Sequence, residues 1–555
     1  MPETRAEPPD HVPVLIVGAG PVGLALAAEL GGRGVPCLVV EQGDRSNEIP
    51  RTNAVGVRTM EFCRRWGVAD RVRRAGFPPD YPHDFVYVTS ITGYEIARVN
   101  RPTHGGVKPS PVSPERAQRC NQLWFDPILR DLASGFPSVA LRYWSRFESF
   151  EESENGVVAE ITDVKTGRRV RVAADYLVAC CGGRSSIRDQ LDIKMGGIGV
   201  HDYPVNVSID VKNLPSFHDK GRVAMFYIVG PDGVKSTLES QDGADHWRLS
   251  VVGGSKPMAV ASFDVDAALL RAFGAKIPYA MRNITSWTRR SLVAQRYGGP
   301  RVFLAGDSAH QNPPDGGGGM NTGIGDAVDL GWKLAAMVEG WGGHNLLASY
   351  SIERQPVGIF SVAASTRMMQ RRVLSPEVTI CDPGEAGERS RASLRQTIMS
   401  AGSLFNADKI GLGYCYEDSP VCCPDGLAMP EDGPDYVPST RAGARAPHAW
   451  LDERRSTLDL FGRGFVLLRL GADAPDGRAF SDAALARGVP LETVEIAAPD
   501  IRALYQAPLV LVRPDGHVAW RGEALGIPAT RQYPYCTPAP PDALPERAEP
   551  RSCLQ

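Results

Sequence analysis

The feature that most restricts the fold is a glycine turn between a strand and a helix near the start of the chain. Val14-Leu15-Ile16-Val17 is a short, wholly apolar run, as suits a strand buried on both faces of a parallel sheet. Gly18-Ala19-Gly20-Pro21-Val22-Gly23 follows at once. Leu24, Leu26, Ala27 and Leu30 then continue as an apolar helix that breaks at Gly31, Gly32 and Gly34. A second apolar strand, Cys37-Leu38-Val39-Val40, ends at Glu41, about 20 residues past the third glycine. Each part has a chemical reason. Gly18 permits a tight turn, Gly20 lets the backbone approach a pyrophosphate, and Gly23 and Ala27 bring the helix close to the sheet. The helix N-terminus offers free N–H groups and a positive dipole to phosphate, and Glu41 can accept ribose hydroxyls. The alternative is a glycine-rich turn with no ligand. A strand before, a helix after and an acid at the right distance favour a dinucleotide.

A second signal lies far downstream. Arg301-Val302-Phe303-Leu304-Ala305 reads as another strand, ending in Gly306-Asp307. Pro313-Pro314 and the run Gly316 to Gly319 come next, and Met320-Asn321-Thr322 is expected to open a helix with apolar Ile324, Val328, Ala335 and Val338. Four glycines ahead of a helix start imply close backbone approach to something flat or anionic. Asp307, at a strand's carboxyl end, is placed to hold a sugar hydroxyl.

Together these segments resemble the FAD-dependent aromatic hydroxylases, the single-component flavoprotein monooxygenases, in the branch that includes phenol and polyketide hydroxylases. Arg51-Thr52-Asn53 with Arg58-Thr59-Met60-Glu61, and Gln122 with Asp126 and Leu129, resemble further family segments. Arg445-Ala-Pro-His448, Asp459 to Gly464 and Leu511 to Arg521 resemble that branch's extra C-terminal domain. The resemblance implies non-covalent FAD held by Gly18, Gly20, Gly23, Glu41, Gln42, Arg51, Gln122, Asp307, Gly319, Met320 and Asn321. It implies NADH or NADPH as co-substrate, and hydroxylation of a small phenol-like aromatic by O2 through a flavin C4a-hydroperoxide. Pro313, Gly319, Asn321 and Asn53 are the candidate catalytic positions, Asn53 as an orienting amide since it cannot act as a base. One departure matters. The family's second motif, D-G-x-x-S-x-x-R, is matched at Gly182, Ser185 and Arg188, but Cys181 stands in place of the aspartate. A thiol supplies no fixed charge there, which leaves Arg184 and Arg188 as candidates for meeting the pyrophosphate of the nucleotide.

The implied architecture is α/β: a doubly wound, Rossmann-like FAD-binding domain in two parts, 1–190 and 291–375, interleaved with an antiparallel β substrate domain, 191–290. A helical or linker segment, 376–435, and a thioredoxin-like domain, 436–555, complete it. Alternation in Val205–Val211 and Trp247–Val252 supports the antiparallel sheet. Tyr203, Asn206, Tyr227, His246 and Arg248 are its candidate pocket residues. His310 reads as a structural hydrogen-bonder near the cofactor. The His-Asp pairs lack ligand spacing, so no metal site is expected. A formal net charge of −3 argues against nucleic acid or an anionic membrane as partner. The eleven cysteines include no CxxC, so they read as reduced thiols of a cytoplasmic protein and the last domain as redox-inactive. The resemblance leaves room for a homodimer. Two other functions stay open: Baeyer–Villiger or epoxidation chemistry on a polyketide-like substrate, and a catalytically silent flavin-binding protein.

Overall fold

The computed structural model describes residues 9–44, 52–371, 376–401, 407–428 and 435–524. The strand His11–Val17 lies at the centre of a seven-stranded sheet. Cys37–Val40 pairs with it in parallel on one side and Arg169–Ala179 on the other. Val139–Arg142 extends the first side, and Val302–Leu304 runs parallel to the end of Arg169–Ala179. An antiparallel ribbon, Ser145–Ser153 with Gly156–Asp163, covers the beginning of that same strand. Chain order therefore reverses about His11–Val17, and its carboxyl end is the switch point where open α/β sheets take ligands. Val40, Val17, Ala179 and Leu304 stand in register, so the residues after them share one edge.

Behind this edge the helix Pro21–Gly31 crosses the long helix Gly318–Val338. Glycine makes the crossing close. A Cβ on Gly331 would stand 2.8 Å from the Glu29 Cβ, and one on Gly323 would stand 2.7 Å from Val22 Cγ2.

The second layer is a nine-stranded sheet. Along Met195–Asp210, Val205, Val207 and Ile209 turn to a core shared with Leu269 and Phe273 of the helix Val265–Phe273. Asn206 and Ser208 take the opposite face, as period two requires. The boundary expected at residue 190 needs correction. Phe85–Val88 and Glu95–Val99 leave the FAD layer and join this sheet, Phe85–Val88 running parallel to Met225–Gly230. His310–Gln311 joins its other end. Such pairings between distant parts of the chain leave no local pattern. Within 376–401 the chain is helical. Gly384–Ala401 is a helix whose Leu394 and Ile398 pack on Ile96 and Val229, although Glu, Arg and Ser dilute its apolar stripe.

The last unit has parallel strands Phe465–Leu470 and Leu491–Ile496 joined through the helix Arg478–Ala486. Leu509–Val512 and Val518–Gly522 follow as an antiparallel hairpin, completing a four-stranded sheet. Among the described residues no helix is long and apolar enough to cross a membrane.

Buried charge joins this unit to the FAD layer. Arg513 donates to Glu353 at 2.7 Å, to Asp329 at 2.9 Å and to Asp515 at 2.8 Å, and Lys333 donates to Asp329 and Glu353. Glu61 accepts from Arg58, Arg445 and the Ser113 hydroxyl. Burial alone would raise the Glu61 carboxyl, but Arg445 and Arg58 outweigh it and hold it below the usual range. A carboxyl so depressed stabilises the fold above its unfolded pKa of about 4.3, and that contribution is lost as the pH falls below it. Glu61→Ala strands two buried guanidinium groups and is expected to cost ~3–5 kcal/mol at neutral pH. Denaturant unfolding at several pH values checks both points: the variant should lose less additional stability in acid than the wild type.

Candidate active site

The glycine turn is held by its neighbours. Gly18 N–H donates to the Val40 carbonyl at 2.8 Å, and its φ of +109° falls where side chains are disfavoured. A Cβ on Gly18 would lie 2.4 Å from the Cys180 carbonyl oxygen, and one on Gly23 would lie 2.0 Å from the Gly18 carbonyl oxygen. Gly20 differs: no heavy atom lies within 4 Å of where its Cβ would stand. It begins the helix Pro21–Gly31 without a side-chain cap. An open cradle at an uncapped helix N-terminus fits a pyrophosphate, so the turn fits FAD. Glu41 braces the turn, its Oε2 accepting from Ala19 N–H at 3.0 Å and its Oε1 from Gly43 N–H at 2.9 Å. Gln42 beside it is exposed, and Arg51 lies outside the described residues.

The downstream loop faces the same edge. Gly316 and Gly317 have φ of +83° and +65°, and the helix starts at Gly318, two residues before the expected Met320. The double left-handed turn makes that early start. Asp307 is half-buried, and its Oδ1 comes within 3.8 Å of where a Gly319 Cβ would stand. Pro313 is buried and Met320 is half-buried. Gln122 opens the helix Gln122–Ser134, capped by Asn121, whose Nδ2 donates to the Gln241 carbonyl of the substrate sheet.

Asn321 is a fastener. Its Oδ1 accepts from Gly56 N–H at 2.8 Å and from Thr59 Oγ1 at 2.7 Å, while its Nδ2 donates to the carbonyls of Ala54 and Gly317. The catalytic placing of Asn321 therefore becomes a positioning one, because both amide atoms are fully engaged. His310 is likewise engaged, with Nε2 2.9 Å from Asp326 Oδ2 and Nδ1 3.1 Å from Asn312 Oδ1. Burial would lower the imidazole, but Asp326 outweighs it and raises it. Arg354 completes the set by donating to Asp326 and to the Thr322 carbonyl.

The polar face of the substrate sheet is tied to this loop through Arg119, which donates to Glu239 of the sheet and pairs with Ala54, an acceptor of Asn321. Pairing sets Asn206 beside Ser250, Ser250 beside Thr237 and Thr237 beside Tyr227, with Ser208, Arg248 and Glu239 in the adjoining row. Tyr227 stacks on Tyr87 at 4.5 Å. The face thus gathers Asn206, Tyr227, His246 and Arg248. Tyr203 lies beyond the register shift before Val205. Asn206 Oδ1 accepts from Ser250 Oγ, and the His246 ring meets Ser208 Oγ at 2.7 Å, so sheet contacts engage both. Asn53 is 7% exposed, and its amide reaches the Glu239 carboxylate and helps hold it below the usual range. Sequence reasoning missed Arg119 and Glu239. Parity with Arg248 in paired strands was the one signal that pointed to Glu239.

At the second motif Cys181 Sγ donates to Ser185 Oγ at 3.1 Å. Arg188 is buried and donates to the carbonyls of Gly183 and Ser308 and to Asp189. Arg188 is thus engaged within the chain, whereas Arg184 is exposed.

A doubly wound sheet with a dinucleotide turn at its switch point, roofed by an antiparallel sheet, defines a flavoprotein oxygenase architecture. The family model described as "FAD binding domain" matches residues 11–365, and "Aromatic-ring hydroxylase, C-terminal" matches residues 439–532. A putative polyketide hydroxylase of Streptomyces halstedii is 34% identical, covering 94% of this chain and 95% of its own. The solved structure of RebC with bound 7-carboxy-K252c superposes with a TM-score of 0.87 at 40% identity, covering 94% of this chain and 98% of RebC. The flavin-dependent monooxygenase PieE, in complex with FAD and substrate, superposes with a TM-score of 0.83 at 31% identity, covering 93% and 97%. The chain belongs to the FAD-dependent aromatic-ring monooxygenases.

The two glycines should separate in experiment. Gly18→Ala is expected to destabilise the fold by about 2 kcal/mol or more, since it forces a strained φ against a fixed carbonyl. Gly20→Val should fold within about 1 kcal/mol of wild type yet bind FAD at least about tenfold more weakly. Thermal melts with flavin absorbance per chain read both outcomes.

Proposed function

We propose that this chain hydroxylates a phenol-like aromatic ring with O2, drawing electrons from NADH or NADPH, in a reducing cytoplasm. The observation that carries the reading is the polar face of Tyr227, Thr237, Glu239 and Arg248, joined to the Gly316–Asn321 turn through Arg119, which donates to Glu239 and pairs with Ala54, the residue whose carbonyl accepts from Asn321. FAD, when bound, supplies the redox and oxygen-activating chemistry. The chain's own residues supply the rest. Gly18, Gly20 and Gly23 with Glu41, Gln42 and Arg51 would hold its adenine dinucleotide half, and Asp307 would hold a ribityl hydroxyl. Backbone N–H groups of Gly319 and Met320, in the first turn of a long helix, stabilise negative charge, and Asn321 keeps that turn in place. Pro313 and Gln122 would border the flavin ring. The Tyr87–Tyr227 stack excludes water from the reacting face. Arg184 is the contact offered to the nicotinamide nucleotide's pyrophosphate.

Turnover under isotopically labelled O2 tests this. FAD-loaded protein, NADH or NADPH and a panel of phenols and phenolic polyketides should yield a product carrying one labelled oxygen. An added oxygen within a ring lactone or an epoxide would overturn hydroxylation, and reduction of flavin without any labelled product across the panel would overturn the oxygenase reading.

A further inference from the structure

A histidine in the flavin loop, residues 306–319, has both ring nitrogens turned to oxygen atoms. His310 Nε2 lies 2.9 Å from Asp326 Oδ2, and His310 Nδ1 lies 3.1 Å from Asn312 Oδ1. The other end of the Asn312 amide is occupied, since its Nδ2 donates to Ser361 Oγ at 2.9 Å and to Ser365 Oγ at 3.3 Å. That leaves the amide oxygen for the ring. A neutral imidazole carries one N–H and one bare lone pair, so it meets only one of two acceptors. Two acceptors require the imidazolium.

The surroundings agree. His310, Asp326 and Arg354 are all fully buried. Arg354 Nε donates to Asp326 Oδ1 at 2.8 Å, so two buried cations share one carboxylate. Burial disfavours the charged ring of His310, yet Asp326 and Asn312 outweigh it. The other groups packed here add no charge: burial pushes the phenols of Tyr297, Tyr350 and Tyr416 and the thiol of Cys180 well up. Asp329, one helical turn beyond Asp326, is claimed by Lys333 and Arg513. Asp307 faces His310 from the cofactor edge, but it is half-buried and forms no ion pair with His310 or Arg354. The buried set therefore carries one positive charge more than it balances. A histidine serving only as a strut needs one ring hydrogen and no charge, and a buried charge without its opposite is costly. Its place gives the surplus a use. Asp326 Oδ2 also accepts from Gly306 N–H at 3.1 Å, and Asn312 Cβ lies 3.6 Å from where a Gly319 Cβ would stand. The imidazole is tied to both ends of the loop that carries Asp307, Pro313 and Gly319.

We propose that His310 is held as an imidazolium in the flavin loop, and that its charge, together with that of Arg354, raises the potential at which bound FAD is reduced. The inference rests on the reading of this edge as the FAD site, and it names a residue that sets how readily a nicotinamide delivers its electrons there. A nicotinamide that gives up hydride passes on two electrons and one proton and is left a cation, so the accepting ring gains one negative charge. The N–H groups of the helix start meet that charge with partial dipoles. His310 adds a whole charge, buried where little water screens it. It gives up and takes no proton, and Asp326 and Asn312 serve to keep it charged. His310 is thus a positioning residue that acts through its field.

Two measurements on FAD-loaded protein test this. In the first, histidine nitrogens are isotopically labelled and read by NMR, with His310→Asn identifying the signals. Both His310 ring nitrogens should keep their protons at pH values well above the ordinary imidazole midpoint of about 6.5. In the second, the potential of bound FAD is read against dyes of known potential. His310→Asn should weaken the binding of reduced FAD about tenfold relative to oxidised FAD, which lowers the potential by about 30 mV for a two-electron couple. A purely structural loss would loosen both forms alike and leave the potential in place. Asn312→Asp sets a carboxylate against the ring; it should leave His310 doubly protonated yet lower the potential by a similar amount. This variant carries the test if His310→Asn does not fold. A bare ring nitrogen on His310 near neutral pH in the wild type, or an unmoved potential in the variants, overturns the proposal. Neither measurement involves substrate or oxygen. Turnover without labelled product therefore sinks the hydroxylase assignment alone, an unmoved potential sinks the His310 assignment alone, and a wild type that takes up no FAD sinks both.

Discussion

The backbone of Gly18 runs so close to Cys180 that a Cβ there would lie 2.4 Å from the Cys180 carbonyl oxygen. That approach sets the spacing of the whole ligand edge. It brings the end of His11–Val17 level with the end of Arg169–Ala179, and Val302–Leu304 takes its register from the latter. The same turn lets Gly23 pass under Gly18, which draws the helix Pro21–Gly31 onto the sheet and so fixes where Val22 meets Gly306 and Gly323. The downstream loop is thus placed by contact with the first turn, although nearly 300 residues of chain separate them. Any widening at Gly18 moves both halves of the cofactor cradle together.

A different force holds the third unit. Arg513 and Arg445 enter the FAD layer with their charge fully buried, and each is met by carboxylates from it. Arg58 links both systems, donating to Glu61 and to the Asp515 carbonyl from the helix Val57–Arg65. That helix begins at Gly56, whose N–H is held by Asn321. The C-terminal unit therefore braces the flavin loop through one helix. Breaking such pairs costs more than they contribute as a set, because each loss leaves a desolvated partner behind.

How much of this was legible depended on distance along the chain. The Gly18–Gly23 turn, its helix and Glu41 were readable because strand, glycines, helix and acid follow one another in a single short stretch, although the Cys180 contact that also fixes Gly18 lies far along the chain. Alternation in Val205–Val211 and Trp247–Val252 made Asn206 and Arg248 legible as polar sheet positions, whereas only the pairing of the strands brings Tyr227 onto their face. The start of the helix at Gly318 was missed, since four consecutive glycines carry no sign of which will turn left-handed. Arg119 and Glu239 escaped notice because they lie 120 residues apart and meet only when a ribbon and a sheet are assembled. Asn321 looked chemical in sequence, whereas its four hydrogen bonds make it mechanical. Arg188 matched a motif, yet the carbonyls of Gly183 and Ser308 had already claimed it.

The substrate sheet is threaded from three separated stretches, Phe85–Val99, Met195–Ala294 and His310–Gln311. A ribosome delivers them in that order. Phe85–Val88 leaves the exit tunnel long before Met225–Gly230, the strand that will cover its edge, and Arg169–Ala179 waits similarly for Val302–Leu304. For much of synthesis the nascent chain therefore carries two unfinished sheets with open edges, the first completed only when Leu304 has emerged and the second only when Gln311 has. Unpaired edges of this kind are what chaperones and neighbouring chains capture. The interleaving that sets the flavin loop against the substrate face thus makes translation speed and chaperone supply determinants of how much active protein a cell obtains.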